Sequence, residues 1–434
     1  MLRRRSVVVI CWAIAAAILL PGVAGLGQRL EVGTRVAGSE SDAVERELSE
    51  RFGSPYAQFA VLVMHDAPSP LSGRGRAFLD SVSRAVRLVP GVTKVRGYAT
   101  PADTFLLGSG GKGEFVLVGL DQHHGPPDVV LSRLRAATSA FRGATPRWTG
   151  QIALNSDLRR VSANDARTAE RRVLPLALLL LLLAFGSLIA ASLPVIAGLL
   201  TILLAFGSAG IIAARWPLSI MLQNVVSMIG LGLGIDYALL AVTRFREALD
   251  SGESSSEAAA QAARHAGHTI GLSGLAVAVG FAGLLVIPVN ELRSVAVGGL
   301  LTVAIAVLTA ITLLPALLSW LGRRVDLGRV TFFRGTRDRS EAWRRWGLWV
   351  ARRPVRVLVV ASVPIVALAW QAHRMRVGDP SGDWLPPRME SAIALRDLQR
   401  MGRSGVLRSL RVVADLPAGA EVQSSRGWAA LRQL

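Results

Sequence analysis

Apolar residues run almost unbroken from Val7 to about Leu26, behind Arg3, Arg4 and Arg5. A helix of about 20 apolar residues matches the hydrocarbon thickness of a membrane, so this run predicts an uncleaved span rather than a signal peptide. From Glu31 to Arg172 the pattern changes. "QFAVLVMHD" and "EFVLVGL" read as buried strands, whereas "GRGRAFLDSVSRAVRLV" and "PPDVVLSRLRAATSAFRG" repeat apolar positions at helical spacing. Strands alternating with helices predict a compact α/β domain with its own core. Beyond Arg172 long apolar runs return, at about 173–191, 194–214, 220–243, 270–288, 295–321 and 355–372. With the first run they predict a polytopic α-helical membrane protein of about seven spans. Gly186-Ser187 and Pro194 mark the turn between the second and third.

The organisation read from this pattern is a first span within 1–30, an α/β domain over 31–172 and five spans over 173–321. A polar linker over 322–354, a seventh span at 355–372 and a further segment over 373–434 follow. The tail repeats the head. "ESDAVEREL" at Glu40–Leu48 and "ESAIALRDL" at Glu390–Leu398 share Glu-Ser-x4-Arg-Glu/Asp-Leu, 350 residues apart. "VMHDAP" at 63–68 matches "VVADLP" at 412–417, and each copy follows an apolar span and a Val-Gly pair, Val32-Gly33 and Val377-Gly378. Four matches in one order predict a duplication, a common plan among secondary transporters. By that arithmetic the second copy has only begun when the sequence reaches Leu434. The expectation is a fragment, a truncated gene, or a protein completed by a second half-transporter chain or a second copy of itself.

Charge supplies orientation. Arginines crowd the connections 243–269 (Arg244, Arg246, Arg264) and 322–354 (Arg323, Arg324, Arg329, Arg334, Arg337, Arg339, Arg344, Arg345, Arg352, Arg353), whereas Arg215 and Arg293 stand alone in the opposite short loops. Positive residues favour the cytoplasmic side of short loops, which predicts a cytoplasmic N-terminus and an extracytoplasmic α/β domain. In a soluble protein the net charge of +19 would suggest nucleic acid. No basic patch interleaved with aromatics exists, only Lys94 and Lys112 are lysines, and the arginines flank apolar spans. Topology accounts for them, and no nucleic-acid partner is expected. With 51% hydrophobic and 18% charged residues and a mean hydropathy of +0.42, the chain falls among membrane proteins.

Candidate chemistry is sparse. Cys11 is the sole cysteine, which excludes internal disulfides and Cys-based zinc sites. "GSGGKGE" at 108–114 lacks the P-loop spacing and precedes a strand, so it reads as a hairpin turn. His123-His124 has no partner at metal-ligand spacing. Glu291 and Arg293 read as a solvated pair in a short loop, and Trp343, Trp346 and Trp349 as an interfacial belt. No nucleophile triad, nucleotide motif or metal cluster is found, so no enzyme and no cofactor is expected.

One segment stands apart. "GLGLGIDYALL", residues 230–240, lies in a stretch from Met221 to Thr243 whose only charged residue is Asp236. A carboxylate in hydrocarbon costs at least a few kcal/mol, so it is rare and usually functional there. Asp236 lies seven residues inside the arginine-marked end, on the order of 10 Å deep at ~1.5 Å per residue. Hydrocarbon favours the neutral acid, so the group can take a proton from one side and give it to the other. Tyr237 offers a hydroxyl, and Gly230, Gly232 and Gly234 permit close helix approach. The alternative is a buried aspartate bonded to a neighbouring helix purely to fix packing.

"GIDYALLAVTRFREAL", followed by "AAAQAARHAGHTIGLSGLAVAVGFAGLL" and "LLTVAIAVLTAITLLPALLSWLGRRV", resembles the MMPL family of the resistance-nodulation-division superfamily. "TGQIALNSD", "AERRVLPLALLLLLLAFGS" and "GDWLPP" extend the likeness over nearly the whole chain. The resemblance implies twelve helices in two halves, with α/β extracytoplasmic domains of the ferredoxin-like porter type. It implies export of lipids, glycolipids or hydrophobic metabolites across the cell membrane, with protons as the coupling ion and membrane lipids as neighbours. The family's Asp-Tyr pair maps onto Asp236 and Tyr237, and its fifth-span serine onto Ser273. His268 stands where relatives commonly carry arginine and reads as a surface residue; the matching Asp-Tyr pair of a second half is absent from this sequence. The rival function is a non-transporting lipid- or sterol-sensing regulator, or an inactive half-transporter.

Overall fold

The apolar runs fold as long helices and the mixed region as a small sheet. The computed structural model describes residues 5–31, 36, 38–51, 58–98, 103–109, 113–121, 127–141, 144–328, 336–375, 386–403, 405–406, 413 and 424. In chain order, α1 (Arg5–Ala24), α2 (Leu26–Arg29) and α3 (Glu40–Glu50) lead into an α/β unit. That unit comprises β1 (Gln58–Met64), α4 (Gly73–Arg87), β2 (Val92–Arg96), β3 (Glu114–Leu120), α5 (Pro127–Thr138) and β4 (Arg147–Thr149). Then come α6 (Gln151–Phe185), α7 (Leu188–Ala213), α8 (Met221–Asp250), α9 (Ser255–Leu284), α10 (Asn290–Leu308) and α11 (Leu314–Leu321). The remainder is α12 (Thr336–Arg352), α13 (Pro354–His373) and α14 (Glu390–Arg400).

The sheet has the order β2-β3-β1-β4 with every pairing antiparallel. Strands and helices alternate as βαββαβ, which is the ferredoxin-like topology. Its central strand is covered on both sides. Ala60, Leu62 and Met64 pack on Leu79, Val82 and Val86 of α4 and Leu131 and Leu134 of α5. Val61 and Val63, on the other face, pack with Phe115 and with Ala394, Leu398 and Met401 at α14. Burial on both faces is why β1 reads as an unbroken apolar run.

Among the described residues, six helices are long and apolar enough to cross a membrane: Arg5–Ala24, Leu188–Ala213, Met221–Asp250, Ser255–Leu284, the run Asn290–Asp326 and Pro354–His373. The second span expected at 173–191 departs from this. Its apolar stretch is the last part of α6, which ends at Phe185. Gly186 closes that helix in the left-handed region (φ 65°), a conformation suited to a residue without Cβ, and Ser187 caps α7. The turn is therefore Gly186-Ser187 alone, and Pro194 lies inside α7. In the fifth run a π-helical turn over Thr309–Leu313 precedes Pro315, which lacks the N–H a regular helix would use there.

The bundle has two distinct ends. At one, Arg5 donates to the Ser319 carbonyl (3.0 Å), and Arg246 donates to the Phe185 carbonyl (2.8 Å) and pairs with Asp326 (2.8 Å). At the other, the Glu31 amide donates to the Leu218 carbonyl (2.8 Å), the Ile220 amide donates to the Glu31 carbonyl (2.9 Å), and Arg159 of α6 donates to the Leu30 carbonyl (3.0 Å). The α/β unit, joined through α6, stands at this second end, away from Arg244 and Arg246. Both copies of the Glu-Ser motif fold as helices beginning at the glutamate, α3 and α14. The Val-Gly pairs, His123-His124 and most of "VVADLP" lie outside the described residues.

Candidate functional site

Helix α8 is walled by α7, α9 and α10. On the walled side, Gly230 faces Ile202 of α7 and Thr302 of α10, and Gly234 lies against the Gly198 backbone, where any side chain would collide. The opposite stripe is open. Met228 is 77% exposed, Gly232 has nothing within 4 Å of where a Cβ would stand, and Asp236 is exposed. Gly232, expected to permit close helix approach, meets no neighbour among the described residues, and the exposure of Asp236 goes against the alternative of an aspartate buried against a neighbouring helix. Both follow from periodicity: 228, 232 and 236 are four residues apart and share one face. Asp236 is thus surrounded by apolar sequence without being covered by the fold.

Tyr237, about 100° further round the helix, points inward. It is 6% exposed, and its buried hydroxyl has no hydrogen-bond partner. A Cβ on Gly274 of α9 would stand 3.7 Å from that hydroxyl, an ordinary contact, but would collide with the Val307 side chain of α10, so the glycine permits α9 to approach α10 there. Ser273, the next residue, is exposed on the open side. Asp236 and Ser273 therefore lie on the open faces of two neighbouring helices, whereas Tyr237 lies on the closed side of α8. One turn nearer the Arg244 end, a cavity of about 550 Å³ opens between α8 and α9, lined by Leu240, Arg244, Glu247, Gln261, His265 and Thr269 among others.

A second concentration of polar groups holds α14 to the sheet. Asp397 pairs with Arg147 (2.6 Å), and Glu390 pairs with Arg135 (2.7 Å) and accepts from the Trp148 amide (2.9 Å). Asp157 accepts from the Ser391 amide (3.1 Å). These groups tie a helix near the end of the chain to strands some 250 residues earlier, and nothing in local spacing announced them. A third feature is Glu114 at the start of β3, 1% exposed. Its Oε1 accepts from the Tyr98 amide (2.6 Å) while Oε2 has no partner. Burial, reinforced by nearby Asp80, pushes its carboxyl up to about 7 against the pull of the Tyr98 hydrogen bond.

Glu291 and Arg293 do not form the solvated pair expected of them. Arg293 donates to the Ile287 carbonyl (3.1 Å), and both Glu291 carboxyl oxygens are enclosed without a hydrogen-bond partner. Residues two apart on a helix point to opposite sides, which explains the separation. His268 is exposed, as are Trp346 and Trp349; the Trp343 side chain lies outside the described residues. Among the described residues no three His, Cys, Asp or Glu side chains gather at metal-binding distance.

The model of the MMPL family matches residues 128–357, more than half of the sequence. The chain belongs to the MMPL family. The matched stretch contains Asp236, Tyr237 and Ser273 and runs from α5 into α13. Among relatives, the mycolic acid-containing lipids exporter MmpL11 of Mycolicibacterium smegmatis is 32% identical over 280 residues, covering 63% of this chain and 29% of that protein. The heme uptake protein MmpL11 of Mycobacterium tuberculosis is 33% identical over 233 residues, covering 53% and 24%. The trehalose monomycolate exporter MmpL3 of the same species is 31% identical over 290 residues, covering 60% and 31%. This MMPL chain spans about a third or less of the length of the curated relatives it matches.

Proposed function

We propose that this MMPL chain takes part in proton-driven export of lipid-like molecules across the cell membrane, with Asp236 as the proton-carrying group. The observation that carries the reading is an aspartate on an open face of a helix whose apolar composition places it in hydrocarbon. Such a group is costly as a carboxylate and inexpensive as a neutral acid, so its charge state couples to whatever covers the open face. Ser273 offers a hydroxyl on the open face of the neighbouring α9, and Tyr237 a buried one on the inner side of α8. The arginine-bearing end faces the cytoplasm and the α/β unit stands outside, on the distribution of arginines in the short connections. Membrane lipid, or a second helical unit of the same kind from another chain, covers the stripe of Met228, Gly232 and Asp236.

The cargo class is supported by two relatives named for export of mycolic-acid lipids. Another is named for heme uptake, so the transport assay compares a trehalose glycolipid with heme. Asp236→Asn keeps the size and removes the exchangeable proton. The expected result is loss of glycolipid export with unchanged membrane insertion. Export retained in this variant would exclude Asp236 as the coupling group, whereas no export by the unaltered protein would favour a non-transporting, lipid-sensing role.

A further inference from the structure

The cavity between α8 and α9 contains a group that the reading above does not use. Along α9, His265, Thr269 and Ser273 follow one another at four-residue spacing, on one face, about 6 Å per step. Along α8, Asp236, Leu240 and Arg244 do the same. The two lines run side by side from the open face at Asp236 to the arginine-bearing end, and the cavity lies between their lower parts. Its volume of about 550 Å³ holds several water molecules at ~30 Å³ each.

We propose that His265 is the group through which protons pass between Asp236 and the aqueous phase at the arginine-bearing end. This rests on the proton-carrying reading of Asp236 and adds its route. The ring is oriented for the task. His265 Nδ1 lies 3.1 Å from the Gln261 carbonyl, which can only accept, so Nδ1 carries a hydrogen and Nε2 is left free to accept a proton. Thr269 donates to the His265 carbonyl (3.4 Å), and its hydroxyl oxygen and that of Ser273 continue the polar line toward Asp236.

Several of the other charged groups near the ring are paired. From α8, Arg244 and Glu247 face the cavity and pair with each other at 2.9 Å. Gln261, with its amide oriented to donate, reaches Glu253 at 3.0 and 3.1 Å. The turn Gly322–Asp326, packed against α9, brings Arg323, Arg324 and Asp326, and Asp326 pairs with Arg246. Arg264 and His268 lie on α9 itself and are exposed. Among the side chains lining the cavity, an imidazole is the one whose ordinary titration falls near neutral pH.

In the transfer, the O–H bond of the Asp236 carboxyl breaks and its proton moves by way of water past the Ser273 hydroxyl to the cavity, whose lining begins at Leu240 and Thr269. A new N–H bond forms at His265 Nε2, giving an imidazolium. That N–H then breaks to water at the mouth, restoring the neutral ring, and the Asp236 carboxylate is ready for another proton.

The test is proton flux into vesicles of phosphatidylethanolamine and phosphatidylglycerol containing the whole chain, followed by a trapped pH dye under an imposed pH gradient. His265→Ala is expected to slow flux by at least about tenfold and to flatten its dependence on pH. Free imidazole on the arginine-bearing side should restore it, which a purely structural lesion would not allow. Flux and pH profile unchanged in His265→Ala, or a slowing that imidazole does not reverse, overturns the assignment of His265. Asp236→Asn, measured in parallel, separates the two ideas. If that variant is silent while His265→Ala behaves as wild type, only the route is wrong. If Asp236→Asn conducts, or the wild type does not, the coupling role of Asp236 falls and the route with it.

Discussion

Glu114 and Asp236 are acids in opposite circumstances, and each contradicts its surroundings in sequence. Glu114 belongs to a mixed α/β unit, yet it is 1% exposed, with one carboxyl oxygen unpartnered. Asp236 belongs to a helix that is otherwise uncharged from Met221 to Thr243, yet it lies on a face that no other helix covers. The difference shows that neighbouring hydropathy reports the medium around an element, while burial of a particular side chain is decided by which face the fold closes. Glu114 is sealed because β3 is an inner strand with the segment at Tyr98 folded over its start. Asp236 is open because α7, α9 and α10 occupy the other sides of α8.

Breaking this comparison at Asp236 has the largest expected effect. Asp236→Asn abolishes transport and leaves the α/β unit and membrane insertion intact, as read by export and by protease protection. Glu114 should show the complementary behaviour, an effect on stability and none on coupling. Its folded carboxyl titrates at about 7 rather than at the ordinary 4.5. Folding therefore favours the protonated acid. The contribution is complete below about pH 4.5 and lost as pH rises through about 7, up to about 3 kcal/mol. Glu114→Gln, which cannot ionise, should make hydrogen-exchange protection of β1 and β3 in the whole chain level with pH, after correction for intrinsic rates. Protection in the wild type should fall over the same interval. A wild-type profile equally flat would show that the Glu114 environment is open to water.

Smaller effects sharpen the contrast between sealed and open faces. Asp397→Ala leaves Arg147 without its partner and should loosen α14 by about 2–3 kcal/mol. That exposes the Val61, Val63 and Phe115 face, seen as faster exchange in β1 but not in α8. Ser254 accepts from the Glu257 amide in a capping box at the start of α9. Ser254→Ala should cost about 1 kcal/mol and fray only the first turn, leaving the His265 region ordered by exchange.

Much of this architecture was legible before any coordinates. The continuous runs at β1 and β3, the amphipathic repeats of α4 and α5 and the long apolar helices are direct consequences of burial. β2 and β4 escaped notice for a physical reason. Of the five residues of β2 only Val95 is buried, and β4 is just three residues long, so neither carries a periodic signal. Asp236 and Tyr237 were legible because a charge in hydrocarbon is conspicuous. Their opposite orientations were not, since those depend on where α7 and α10 pack. The α14 contacts with Arg135 and Arg147 were hidden by distance along the chain, although the repeated Glu-Ser motif had marked α14 as an element. Glu114 had only its place at the head of an apolar strand to signal it.

Reaction with a membrane-soluble carbodiimide compares the two acids in one experiment. The reagent modifies neutral carboxyl groups that it can reach from the lipid phase, and peptide mass mapping locates the adduct. The account predicts modification at Asp236 that is lost in Asp236→Asn, and none at Glu114 although that acid is substantially protonated near neutral pH. An unmodified Asp236, or an adduct at Glu114 in its place, would contradict an exchangeable proton on the open face of α8.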